Sequence, residues 1–137
     1  YVQTGKVRWV FRNFPFLSQD SLNAAEATYC ANEQDKFWPL HDKLFAMQNA
    51  NSQTSFSKEN LKRVAAELGL DTTAFNACLD SGRYAGRPQA DAQYAQRAGI
   101  GGTPTFLING RFANVMSRDV QTTIANFRRE LDAELSK

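Results

Sequence analysis

Gly99-Ile100-Gly101-Gly102-Thr103-Pro104-Thr105-Phe106-Leu107-Ile108-Asn109-Gly110-Arg111 puts a flexible turn, a proline, an apolar run and a hairpin turn into thirteen consecutive residues. Gly99, Gly101 and Gly102 permit positive φ or close backbone approach. Pro104 fixes its own φ and pushes Thr103 toward an extended conformation. The chain must turn here and then run straight. Thr105 to Ile108 are β-branched or large apolar residues that read as a buried strand, and Asn109-Gly110 suits a type I′ hairpin. A second strand from about Arg111 to Val115 is expected to fold back on the first. Trans is the commoner state of an X-Pro bond, but the cis state costs little, and at the mouth of a strand it turns a backbone edge outward. On the pattern alone Thr103-Pro104 reads as the start of a strand, with trans the more frequent isomer.

Working outward, the whole chain has 137 residues, 42% of them apolar and 22% charged, which is the composition of one ordinary globular domain. A formal net charge of +2, with no basic run interleaved with aromatics, argues against a nucleic-acid partner. No apolar stretch approaches the roughly 18 residues of a membrane span. No charged leader followed by an apolar segment opens the chain, which starts at Tyr1; a leader removed upstream is compatible with that start.

The two cysteines, Cys30 and Cys78, stand 48 positions apart. That separation is neither a redox Cys-x-x-Cys nor a complete zinc site, and no metal or other cofactor is expected. Two readings remain open: a pair of buried free thiols, or one structural disulfide formed in an oxidising compartment. His41 is the only histidine. With neither a paired nucleophile nor a second metal ligand, it is read as a structural hydrogen-bonding group.

From the N-terminus, Val7, Trp9 and Phe11 alternate with polar residues, the period of a half-buried strand over Val7 to Asn13 that Pro15 ends. Small and polar residues at helical spacing follow. Asn23 and Glu26 are read as a capping pair for a helix from about Ser21 to Asn32. Phe37, Leu40, Leu44 and Met47 line one face of a second helix, with Pro39 expected to start a new turn or kink it at Trp38. Residues 50–56 are polar and read as a loop. Ser57 caps a helix with the apolar stripe Leu61, Val64, Ala65 and Leu68, closed by Gly69. Asp71 or Thr72 opens a short helix through Cys78, stopped at Ser81-Gly82. A further helix is expected over Gln89 to Ala98. The last carries Val120, Ile124, Phe127, Leu131 and Leu135 on one face, with Ser117 and Asp119 at its start.

Gly-Thr-Pro-Thr-Phe-Leu-Ile-Asn-Gly (102–110) resembles the cis-proline loop of the DsbA-like thioredoxin-fold family. Three further segments resemble the same family in the same order: Val-Arg-Trp-Val-Phe-Arg-Asn-Phe-Pro (7–15), Phe-Trp-Pro-Leu-His-Asp-Lys-Leu-Phe (37–45) and Gly-Leu-Asp-Thr-Thr-Ala-Phe-Asn-Ala-Cys-Leu-Asp-Ser-Gly (69–82). The resemblance implies an α/β protein with a thioredoxin-like core over 1–17 and 83–137 and an inserted helical subdomain over 18–82. It implies that the Thr103-Pro104 bond is cis and that Gly102, Thr103 and Pro104 bind extended peptide, and it favours a structural disulfide between Cys30 and Cys78, since some members carry a second, non-catalytic bridge in their helical part. A bridge closing that loop is worth about 4 kcal/mol on the chain-entropy model.

One departure from the family governs the functional expectation. The first core strand and the Cys-x-x-Cys helix would precede Val7, so the fold expected of these residues is an incomplete thioredoxin fold of strand, strand-hairpin and C-terminal helix. Thiol-disulfide exchange needs a low-pKa thiolate, generally at a helix N-terminus, and a resolving cysteine one turn away. This chain offers no catalytic residue of that kind and is expected to be redox-inactive alone. The intact protein is expected to be a periplasmic or otherwise extracytoplasmic thiol-disulfide oxidoreductase, acting on unfolded or reduced proteins and recycled by a redox partner. The alternatives are a non-catalytic peptide-binding or chaperone-like module and, more distantly, a glutathione-transferase-like relative. The missing central strand leaves two edges to be repaired, by direct pairing of the Val7 and Thr105 strands or by strand exchange in a homodimer.

Overall fold

Six helices and one short hairpin form the regular structure of the computed structural model, which describes residues 1–50 and 54–137. Part of the stretch read as a loop at 50–56 therefore lies outside the described residues. Contacts divide the chain into two units, Arg12–Gly99 on one hand and Tyr1–Phe11 with Ile100–Lys137 on the other.

The Arg12–Gly99 unit is helical. Helix α1 (Gln19–Asn32) starts at Ser18, whose extended backbone leaves its hydroxyl free to accept from the Ser21 N–H at 3.3 Å. Asn23 and Glu26 are therefore not the cap; both lie inside the helix and are buried. Helix α2 (Phe37–Ala50) runs through Pro39, which falls in the first turn, where an amide has no intrahelical acceptor to lose. Helix α3 (Lys58–Glu67) is capped by Ser57 and buries Leu61, Val64 and Ala65. Helix α4 (Thr72–Ser81) is capped by Asp71 and closed by Gly82 at φ 65°, the left-handed conformation that a Cβ disfavours. Helix α5 (Gly86–Arg97) begins at Gly86 rather than Gln89, because Pro88 is accommodated in its first turn. The four helices α1 to α4 enclose one core in which Cys30, Leu40, Leu61, Phe75, Cys78 and Leu79 are at most 1% exposed.

In the other unit, β1 (Leu107–Ile108) and β2 (Arg111–Phe112) pair antiparallel, Leu107 opposite Phe112 and Ile108 opposite Arg111. Asn109 and Gly110 both have positive φ, 49° and 77°, as a type I′ turn requires. Helix α6 (Val120–Leu135) follows, capped by Asp119, and the ring of its Phe127 meets Phe106 edge-on at 4.9 Å. None of its residues is fully buried, and Val120 and Leu135 are exposed.

The strand expected over Val7 to Asn13 is not formed. Among the described residues β1 bonds only to β2, so direct pairing of the Val7 and Thr105 strands is not formed either. A strand is defined by a neighbour that takes its N–H and C=O groups, and alternation alone cannot supply one. The segment is nevertheless anchored. The Trp9 ring lies 5.9 Å from Phe106 and 6.2 Å from Phe127, and the Tyr1 hydroxyl donates to Asp132 at 2.7 Å.

The Asp119 cap has a pH consequence. Hydrogen bonds donated by the side chain and the backbone of Thr122 hold its carboxyl below the usual aspartate range. A depressed pKa makes the cap's contribution full above the ordinary value of about 4 and lost as pH falls through the lower folded value. Protection of the amides at the start of α6, taken relative to their intrinsic exchange rate at each pH, is expected to fall on acidification in the native chain. In Asp119→Asn, that acid-dependent step is expected to be absent.

Candidate functional site

The loop before β1 presents Thr103, Pro104 and Thr105 to solvent, with the Thr103–Pro104 peptide bond cis. Thr105 bends the loop back on itself, its hydroxyl donating to the Gly102 carbonyl at 2.6 Å. Of the three glycines ahead of the proline, only Gly99 takes positive φ, at 77°. Gly101 and Gly102 have ordinary φ, and a Cβ added to either would meet nothing among the described residues. Their role in the turn is therefore not steric.

Beyond Pro104 an open groove of about 260 Å³ is lined by Thr105, Phe106, Phe112, Val115 and Met116. Its far wall is tied to the strand: the Ala113 N–H donates to the Phe106 carbonyl at 2.9 Å, and Asn126 Nδ2 donates to the Val115 carbonyl at 3.2 Å. Val115 is fully buried beneath, whereas Phe112 and Met116 are 61% and 48% exposed. The groove is thus a firm backbone carrying two exposed apolar side chains. Sequence reasoning did not single out Phe112 or Met116, since each looks like an ordinary strand or loop residue; their signal is the joint exposure of apolar groups beside Pro104.

Glu134 steadies the hairpin. Its carboxylate accepts from Asn109 at 3.0 Å and from Lys137 at 2.6 Å, and it pairs with Arg111. The turn that aims β1 and β2 is therefore held to the last turn of α6.

In the helical unit, the sulfurs of Cys30 and Cys78 are 2.08 Å apart, forming a disulfide between α1 and α4. With Cys30 at 1% and Cys78 at 0% exposure, no thiolate arriving from solvent reaches either sulfur. Among the described residues no cysteine is free, and no group of acidic, histidine or cysteine side chains is arranged to hold a metal ion. His41 Nδ1 lies 2.8 Å from Asp42, and the imidazole sits among Phe37, Trp38 and Phe45, with ring centroids 4.8 to 5.9 Å away. A polar network that sequence reasoning did not anticipate links α1 to α5: the Tyr29 hydroxyl donates to Asp91, which also accepts from Arg12 at 3.3 Å. Partial burial, then the hydrogen bond to Asp91, pushes the Tyr29 phenol upward.

One unit with a cis-proline loop leading into a hairpin and a closing helix, and another that is helical and disulfide-bridged, define a thioredoxin-like protein of the DsbA type. The chain belongs to the family described as Thioredoxin, whose model matches residues 1–132. It is 30% identical over 142 residues to the probable disulfide bond formation protein D of Bacillus anthracis, covering 100% of this chain and 62% of that protein. It is 33% identical over 73 residues to the thiol:disulfide interchange protein DsbA of Bordetella parapertussis, 53% of this chain and 35% of that protein. It is also 38% identical over 107 residues to the Na(+)/H(+) antiporter NhaA 3 of Salinispora tropica, 77% of this chain and 16% of that protein. The chain therefore spans less than two thirds of each of these relatives. No solved structure matches it significantly.

Proposed function

We propose that these residues are the peptide-holding part of an extracytoplasmic protein-disulfide oxidoreductase of the DsbA type, whose catalytic Cys-x-x-Cys lies outside them. The observation that carries this reading is the exposed Thr103-Pro104 loop opening onto an apolar groove, in a chain whose only two sulfurs of cysteine are closed off in a core disulfide. The relatives named for disulfide bond formation and interchange support it. In this reading Gly102, Thr103 and Pro104 offer backbone groups to an extended, reduced or unfolded polypeptide, and Phe112 and Met116 take its apolar side chains. Residues 18–82 form an inserted helical subdomain stapled by Cys30 and Cys78. The edge of β1 that β2 does not take accepts a further strand, from elsewhere in the polypeptide or by exchange with a second copy. A separate redox partner recycles the intact protein, which needs no metal or organic cofactor.

The second reading is a binding or chaperone-like module without catalysis, which uses the same open groove. Two assays separate them. The 137-residue chain is expected to give no insulin reduction and no dithiol-peptide oxidation above buffer, while a longer form that carries a Cys-x-x-Cys ahead of these residues turns over. Turnover by the 137 residues alone at a rate near that of an ordinary thioredoxin overturns the assignment; absence of turnover by the longer form favours the binder. In both readings a cysteine-free Leu- and Phe-containing peptide binds the groove. Phe112→Asp, a change at an exposed position, is expected to weaken it by about tenfold, the equivalent of roughly 1.4 kcal/mol.

A further inference from the structure

We propose that Met116 is an oxidation site, and that conversion of its thioether to the sulfoxide by a peroxide closes the groove to apolar peptides. The proposal rests on the peptide-binding reading for its consequence, but not for the reactivity of the sulfur.

The chain contains two methionines in unlike settings. Met47, on α2, is partly buried against the helical core. Met116 is 48% exposed and stands in the wall of an open groove, with Phe112 and Pro104 as fellow lining residues. Thioether oxidation follows access, because a peroxide must approach the sulfur lone pair directly. The sulfur attacks one peroxide oxygen, the O–O bond breaks and an S–O bond forms. The sulfur is oxidised by two electrons and hydrogen peroxide is reduced to water. No protein nucleophile or cofactor is required.

The consequence follows from the position. Methionine suits a groove for varied apolar partners because its side chain is flexible and polarisable. The sulfoxide keeps roughly the same volume but carries a strong hydrogen-bond acceptor and a large dipole. An apolar side chain seated against it would strip water from that oxygen without replacing the hydrogen bond. The groove backbone is held by Val115 and Asn126, so the oxidised side chain stays at the same point of the wall. An extracytoplasmic protein-folding factor would thereby lose its grip on substrates under peroxide stress, and enzymatic reduction of the sulfoxide would restore it.

The test is peptide mapping by mass spectrometry during a hydrogen peroxide time course on the folded chain, with parallel anisotropy measurements using a fluorescein-labelled, cysteine-free Leu- and Phe-containing peptide. Met116 is expected to gain oxygen at least about fivefold faster than Met47, as exposure predicts. Peptide affinity is expected to fall about tenfold in step with it, while helical circular dichroism stays constant. Treatment with the two stereospecific methionine sulfoxide reductases is expected to restore binding, and Met116→Gln, which places a polar amide in the same wall, to reproduce the loss without peroxide. Equal oxidation rates for the two methionines, or unchanged affinity once Met116 is fully oxidised, overturn the proposal. No binding by the unoxidised chain overturns instead the peptide-groove reading, and with it the proposed effect of oxidation; the oxidation map distinguishes that failure from a failure of Met116 reactivity.

Discussion

Replacing Cys30 and Cys78 together by alanine is expected to lower the unfolding free energy of the Arg12–Gly99 unit by about 4 kcal/mol, the value the chain-entropy model assigns to opening a loop of this length. The two residues are 48 positions apart, so in the reduced unfolded chain the bridge no longer restricts the intervening helices α2 and α3. Because both sulfurs are buried, alanine also removes packed atoms from the junction of α1 and α4, which adds to the loss. Guanidinium unfolding of the oxidised chain and the double variant measures the difference. A change under about 1 kcal/mol would mean that the unfolded chain is already compact enough for the bridge to cost it little freedom. Burial makes a kinetic statement as well: a mild thiol reductant is expected to leave the bridge intact in the native chain and to cleave it once denaturant opens the core.

Phe75→Ala is expected to cost the same unit about 3 to 5 kcal/mol, the range for deleting a buried aromatic ring and leaving a cavity behind. Phe75 is a fully buried residue of α4, and the cluster around it includes Leu40, Leu61, Leu79 and the disulfide. Neighbours belonging to four different helices cannot all move inward to fill the space, so the high end of the range applies. The measurement is the denaturation midpoint, with the slope checked for constancy so that a change in the unfolded state is not read as a change in packing. Phe75 stands one helical turn before Cys78, so the triple change is expected to be less than additive, since the bridge and the ring support the same helix junction. A loss below about 1.5 kcal/mol would show that the core relaxes around the missing ring.

The legible part of the fold was local. Ser57, Asp71 and Asp119 start helices because their side-chain oxygens meet amides two or three residues on. Gly82 ends one because its φ is positive, and Asn109-Gly110 turns the hairpin for the same reason. The buried stripe of Leu61, Val64 and Ala65 was visible as spacing. Two misreadings were local as well: Asn23 and Glu26 imitate a cap but lie inside α1, and Pro88 imitates a break but belongs to the first turn of α5.

Sequence by itself determined the elements whose causes lie within one turn of the chain: capped helices, the type I′ hairpin and the proline loop at Thr103-Pro104. Tertiary structure alone decided the rest. The packing of α1 on α4 brings the Cα atoms of Cys30 and Cys78 to 5.8 Å, a distance no spacing rule states. The alternation of Val7 to Phe11 forms no strand, because a strand's hydrogen bonds belong to its neighbour. The groove beside Pro104 exists because Val115 is buried while Phe112 and Met116, a few residues either side, are not. Short-range patterns specify backbone conformation, whereas burial and pairing are properties of segments that meet only when the chain has folded.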